Sequence, residues 1–219
     1  MTIRYGQQNL IEKDIDAVVK VLRSVNLTQG PTIELFENTV KEYTGTKFAV
    51  AVTNATAALH ISCKALGLSE GDYLWTSPNS FVASANCALY CGAQIDFVDI
   101  DPETFNICVD ALESKLAKAK TRDKLPKIVV PVHFGGEPAE MRRIYELSKQ
   151  YNFRIIEDAS HAIGAEYRGT KIGSCTYSDI TVFSFHPVKI ITTGEGGMAL
   201  TNDKFIARKL GLLRSCTTN

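Results

Sequence analysis

Neither sign of charge is in excess: lysine plus arginine and aspartate plus glutamate both number 24 in this chain of 219 residues, so the formal net charge is +0. That balance leaves no basic footprint for nucleic acid and no polybasic run for a membrane surface. A small anionic ligand would have to be held by local geometry. No uninterrupted apolar run approaches the roughly 20 residues that span a bilayer. The start MTIRYGQQNL is polar and lacks the apolar core of a signal peptide. The six cysteines (63, 87, 91, 108, 175 and 216) contain no CxxC pair, and none stands beside a histidine at metal-ligand spacing. The expectation is a reduced, cytoplasmic protein without disulfides, structural zinc or another metal. Cys87 and Cys91, four apart, fit one helix face as small buried thiols. GxGxxG and GxxxxGK[ST] are both absent, which takes the main support from dinucleotide and P-loop readings.

Low-complexity segments, internal repeats and Pro/Gly/Ser linkers are missing too, so residues 1–219 read as one continuous domain with an N-terminal helical segment. Ile11, Ile15, Val18, Val19, Leu22 and Val25 follow helical spacing. The loop LTQGP leads to a second amphipathic helix from Ile33 to Tyr43. From there the chain alternates. Short apolar runs stand at FAVAV (48–52), YLWT (73–76), IDFV (95–98), KIVVPV (127–132), FRIIE (153–157), ITVFSF (180–185) and GMALT (197–201). Helical patterns lie between most of them: Ala55–Leu66, Val82–Cys91, Asp110–Lys120 and Ala139–Tyr151. Strands apolar on both faces that alternate with helices predict an α/β fold, a mainly parallel seven-stranded sheet flanked by helices. Ligands of such sheets sit outside the carboxyl ends of the strands.

Three strand ends carry the chemistry. FAVAV runs into TNATAAL, where small residues open a helix whose free N–H groups suit a phosphate; a plain helix cap would look the same. FRIIE runs into Asp158, Ala159, Ser160 and His161, an acid at the ligand edge or a helix cap. ITVFSF runs into His186, Pro187, Val188 and Lys189. A lysine bracketed by Phe183, Phe185, Val188, Ile190 and Ile191 would be desolvated and its amine made available as nucleophile and base. A snorkelling surface lysine is the plainer alternative. TTGEGGM (192–198) reads as a tight turn. Together, a helix start, an acid and a buried lysine form the set that holds pyridoxal 5'-phosphate: the lysine as Schiff-base partner, the acid on the pyridine nitrogen, with Phe81 placed to cover the ring.

LTQGP (27–31), TNATAALH (53–60), TSPNSFVASANCALYCGA (76–93), PVHFGG (131–136), EDASHAIGA (157–165), SFHPVK (184–189) and TTGEGGM (192–198) resemble, in order and spacing, the sugar aminotransferases of the DegT/DnrJ/StrS type. The match runs over essentially the whole chain. EDASHA with SFHPVK and ITT is most similar to the pseudaminic acid branch; many relatives in the family carry glutamine where this sequence has His161, so the histidine points toward that branch. The resemblance implies the large domain of the aspartate-aminotransferase fold, with pyridoxal phosphate as cofactor and the family's smaller C-terminal domain absent here. It implies Lys189 as the catalytic Schiff-base lysine, Asp158 as the pyridinium partner and His161 near the phenolic oxygen. Ala55, Thr56 and Ser184 would meet the phosphate, and Phe81 would stack on the ring. Tyr5 and Val25, Asn26, Leu27 and Thr28, with Ala55 and Ser184, would line the nucleotide-sugar site. A UDP-linked 4-keto-6-deoxy-N-acetylhexosamine and glutamate are the implied substrates, and a homodimer the implied assembly. Sugar 3-dehydratases of the family carry histidine at the lysine position, so Lys189 speaks against them. Other keto nucleotide sugars, UDP- or TDP-linked, and a non-catalytic relative stay open as alternatives.

Overall fold

The computed structural model describes residues 8–215. Two helices lead in, α1 (Glu12–Leu22) and α2 (Pro31–Thr44). Then come β1 (Phe48–Val52), α3 (Ala55–Ala65), β2 (Tyr73–Thr76), α4 (Ala83–Leu89), β3 (Gln94–Phe97), α5 (Val109–Lys120), β4 (Ile128–Val130) and α6 (Met141–Tyr151). The chain continues through β5 (Arg154–Asp158), the two short strands β6 (Glu166–Tyr167) and β7 (Thr170–Lys171), β8 (Ile180–Ser184), β9 (Gly197–Thr201) and α7 (Lys204–Ser215). The large sheet has seven strands in the order β1-β9-β8-β5-β4-β2-β3. All its pairings are parallel except those of β9, which runs antiparallel to both β1 and β8. The expected mainly parallel α/β sheet of seven strands is therefore the fold observed.

Successive side chains of a strand point to opposite faces, and the core divides along that alternation. Leu74, Ile128, Val130, Ile156 and Val182 face α3, α4 and α7 with Leu59, Cys63 and Leu210. Trp75, Val129 and Ile155 face α5 and α6 with Leu112, Leu116 and Ile144. Toward the β1 side, Phe183, Met198 and Leu200 pack on Val40 of α2. Each fully buried Leu, Ile, Val or Phe contributes about 1.5–3 kcal/mol, so strands apolar on both faces are fixed in a covered sheet. Cys63, Cys87, Cys91, Cys108 and Cys175 are free thiols, and Cys87 and Cys91 are buried.

Several boundaries differ from the sequence pattern, each for a local reason. KIVVPV is a strand only over Ile128–Val130, because Pro131 has no N–H with which to extend the ladder. Helix α1 ends at Leu22, and Val25 beyond it is 98% exposed. Among its described residues α1 buries none; its apolar stripe, with Ile11, Ile15, Val18 and Leu22, faces outward. The β6–β7 hairpin has no counterpart in the apolar pattern. Arg168 (φ 52°) and Gly169 (φ 75°) form its turn, two left-handed residues as a two-residue hairpin requires. Among the described residues no helix is long and apolar enough to cross a membrane.

One row across the sheet gathers three strand ends. Val52 at the end of β1 pairs with Gly197 at the start of β9, which pairs with Ser184 at the end of β8. Asp158 ends β5 on the same edge, paired with Val182 of β8. The carboxyl ends of β1, β8 and β5 thus open side by side.

Candidate active site

Over that edge lies a cleft of about 620 Å³. It brings together Ala55, Thr56, Phe81, Asp158, His161, Ser184 and Lys189, seven residues drawn from four separate stretches of chain. The position is where a doubly wound sheet presents ligands.

Helix α3 supplies the first part. Asn54 caps it from an extended backbone (φ −166°), and its side chain accepts from Ala57 N–H at 2.8 Å. Ala58 N–H donates to the Asn54 carbonyl. Among the described residues the N–H groups of Ala55 and Thr56 have no acceptor, and both residues line the cleft. Two free donors at a positive helix end make a seat for a phosphate. The turn can sit there because residue 197 is glycine: a Cβ on it would fall inside the backbone of Asn54 and Ala55. The TTGEGGM run, which reads from sequence as a tight turn, thus also lets β9 start against the helix. Through Gly197 the hydroxyl-bearing Ser184, 8% exposed, is the next position in the row.

Asp158 is 4% exposed and is held from three sides. Its Oδ2 accepts the Ser84 hydroxyl at 2.6 Å. Its Oδ1 accepts the Ser160 hydroxyl at 2.6 Å and the Ser160 N–H at 3.2 Å. The backbone is pinned as well: Asp158 N–H donates to the Pro131 carbonyl and His133 N–H donates to the Asp158 carbonyl.

Lys189 stands in a turn, its N–H donating to the His186 carbonyl. Its Nζ meets His161 Nε2 at 2.5 Å. Burial pushes the Lys189 amine below the usual lysine range, against the opposing pull of Asp158. Burial also lowers His161, the nearby Lys189 adds to this, and Asp158 opposes it. Both shifts favour neutral nitrogens, which suits an amine that attacks and a ring that accepts its proton. The cause differs from the one the sequence suggests. Phe183 and Phe185 are buried, but Val188, Ile190 and Ile191 are 46%, 67% and 49% exposed. Three of the five apolar flanks are thus open to solvent, and the amine is half-buried in the wall of the cleft.

Other expected residues fall elsewhere. Val25, Asn26, Leu27 and Thr28 lie in the exposed connection between α1 and α2 and do not line the cleft. Tyr5 lies outside the described residues. Phe81 stands at the rim, 73% exposed. Ser84 escapes a reading of the sequence, because a serine inside a helix is not at a strand end; its only trace is the spacing of four from Ser80, whose hydroxyl it meets at 2.8 Å. The role of His133 escapes it as well, since its carboxylate partner, Glu157, is 24 residues away.

The chain is similar to known proteins in sequence and in fold. The chain is 46% identical over 213 residues to the UDP-4-amino-4,6-dideoxy-N-acetyl-beta-L-altrosamine transaminase of Campylobacter jejuni, covering 97% of this chain and 55% of that protein. The structure of Helicobacter pylori PseC, an aminotransferase involved in the biosynthesis of pseudoaminic acid, superposes with a TM-score of 0.89 at 36% identity, over 97% of this chain and 55% of that one. A putative sugar aminotransferase of Streptococcus pneumoniae in its PLP form superposes with a TM-score of 0.86 at 28% identity, over 97% and 57% of the two chains. The chain spans about half the length of the relatives it matches. Residues 8–219 match the DegT/DnrJ/EryC1/StrS aminotransferase family, and the chain belongs to that family.

Proposed function

We propose that this protein is a pyridoxal-phosphate-dependent aminotransferase that moves an amino group from glutamate to C4 of a UDP-linked 4-keto-6-deoxy-N-acetylhexosamine. The carrying observation is the meeting of Lys189, Asp158 and the free N–H groups of Ala55 and Thr56 in one cleft. In this reading residues 1–219 supply the large, cofactor-binding domain. The sugar assignment rests on the similarity to the altrosamine transaminase and to PseC.

The residues fit the cofactor by their own chemistry. The free donors of α3 and the hydroxyl of Ser184 would hold its phosphate, and the hydroxyl-braced carboxylate of Asp158 would accept its ring N–H. When bound, pyridoxal phosphate supplies an aldehyde for Lys189 and a protonated ring that withdraws electrons from the carbon losing its proton. Lys189 Nζ would link to that aldehyde and, once released by the incoming amine, take and return the proton. His161 Nε2, in contact with Nζ, keeps the amine aimed and offers it a neutral acceptor. Partial burial in the cleft lowers the pKa of this amine and so favours its neutral, attacking form.

The test begins with colour. Protein incubated with pyridoxal phosphate should turn yellow, and borohydride followed by peptide mapping should put the cofactor's mass on Lys189. Half-reactions with glutamate and a panel of UDP- and TDP-linked keto sugars then choose the sugar. Cofactor fixed to another lysine, or no amination of any 4-keto sugar, overturns the proposal.

A further inference from the structure

Asp158 has less room for a ligand than its place in the cleft suggests. An ionised carboxylate accepts about four hydrogen bonds, two on each oxygen. Oδ1 already takes two, both from Ser160. Oδ2 takes one, from Ser84. One more donor can therefore be received on Oδ2, the oxygen that Ser84 holds.

The direction of the Ser84 contact is fixed. An ionised carboxylate has no proton to give, so at 2.6 Å the Ser84 hydroxyl donates. A hydroxyl has one proton, so the longer approach of Ser84 to the Phe81 carbonyl, 3.2 Å, goes unserved. Ser84 must then accept from Ser80, whose hydroxyl lies 2.8 Å away. The chain runs Ser80 to Ser84 to Asp158 and starts at the cleft wall, where Ser80 is half-buried. Ser84 itself is fully buried on α4, out of reach of solvent that could replace its hydroxyl.

We propose that Ser84 is a positioning residue of this cleft: fed by Ser80, its hydroxyl holds the one oxygen of Asp158 with room left to accept the ring N–H of the cofactor. The inference rests on the reading of the cleft as a pyridoxal-phosphate site. Hydrogen bonds to the charged form of an acid favour that form. Without Ser84, Oδ2 becomes freer to swing and readier to take the proton from the ring nitrogen.

The test uses the full chain with pyridoxal phosphate labelled with ¹⁵N in the ring. Wild type should show a protonated ring nitrogen and cofactor fixed by borohydride on Lys189. Ser84→Ala should move the ring-nitrogen signal toward the unprotonated position and weaken cofactor affinity about tenfold, the loss of roughly one charged hydrogen bond. Ser80→Ala, at the outer end of the chain, should shift both readouts the same way by about threefold or less. Ser84→Thr, which keeps the hydroxyl, should restore the wild-type signal. A role in packing alone would lower the melting temperature of Ser84→Ala and leave the nitrogen signal in place, and that result overturns the inference. Wild-type protein that takes up no cofactor overturns the reading of the cleft, and this inference with it.

Discussion

Glu157 and Asp158 are chain neighbours at the end of β5, both 4% exposed, yet their surroundings are opposite. Strand alternation sends Asp158 to the face of α3 and α4, and Glu157 to the face of Ile155 and α6. Glu157 accepts from His133 Nε2 at 2.8 Å, from Thr181 at 2.9 Å and from Ser178. His133 is in the tautomer that carries its proton on Nε2, because Nδ1 accepts the Ala139 N–H. The space left beside Glu157 is about 10 Å³, barely one water; beside Asp158 it is about 620 Å³. Two buried carboxylates with equal numbers of protein donors therefore differ in what can come next. Glu157 ties β5 to β8 and to the segment that follows β4, and Asp158 faces the cleft. The lesson is that burial and hydrogen bonding do not tell an enclosed acid from one that opens onto a cleft, whereas the volume beyond its oxygens does.

The largest effect should come from removing the amine that faces Asp158 across the cleft. Lys189→Ala should slow the glutamate half-reaction by about 10²- to 10⁴-fold or more, the typical worth of a positioned proton-transfer group, while urea denaturation stays close to wild type. Rapid-mixing absorbance measures it. Glu157→Ala should do the reverse. It strips a partner from a buried histidine and two hydroxyls, so it should cost at least about 1–3 kcal/mol of stability, the penalty of leaving a buried donor unsatisfied, read from urea denaturation. Asp158→Asn comes next, with a half-reaction slowed on the order of 10²-fold and stability nearly unchanged. If Glu157 and Asp158 variants lose stability and activity together, the contrast between the two acids fails.

The contrast is only partly legible in the sequence. The strands are, because each is a short apolar run whose two faces are both covered. The cleft residues on strand ends are, because the edge of a parallel sheet is a rule of topology. Which of two adjacent acids faces the cleft follows from strand parity, but only once the helix on each face is known. The Ser84–Asp158 contact joins residues 74 apart, and nothing local announces it. Burial read from flanking residues misleads at Lys189, because Val188, Ile190 and Ile191 lie in a turn where no sheet covers them. The loop 25–28 resembles a sugar-binding segment, but its side chains are exposed and away from the cleft.

Acid should sharpen the same comparison. Burial alone would raise Glu157, but the hydrogen bonds from His133, Ser178 and Thr181 outweigh it and hold the carboxyl below its usual range. A depressed folded value means the unfolded chain binds the proton first. The stabilisation is thus present above the ordinary glutamate range and is lost as pH falls through the folded value. Unfolding free energy plotted against pH should drop on the acid side in wild type, and drop less steeply in Glu157→Gln. Equal slopes would mean that Glu157 carries no such linkage.

The smallest effect tests whether open and closed groups can be separated within one helix turn. Asn54 closes the N–H of Ala57 and leaves those of Ala55 and Thr56 free. Asn54→Ala removes the cap and should cost about 1 kcal/mol of stability. Asn54→Asp keeps an equally good cap, so stability should hold. It also sets a negative charge beside the free donors, and like charges a few ångströms apart near a protein surface repel by more than about 1 kcal/mol. Affinity for pyridoxal phosphate, followed by its absorbance, should therefore fall about tenfold in Asn54→Asp at constant melting temperature. An unchanged affinity would place the phosphate somewhere other than the start of α3, and the two free N–H groups would then be an ordinary helix end.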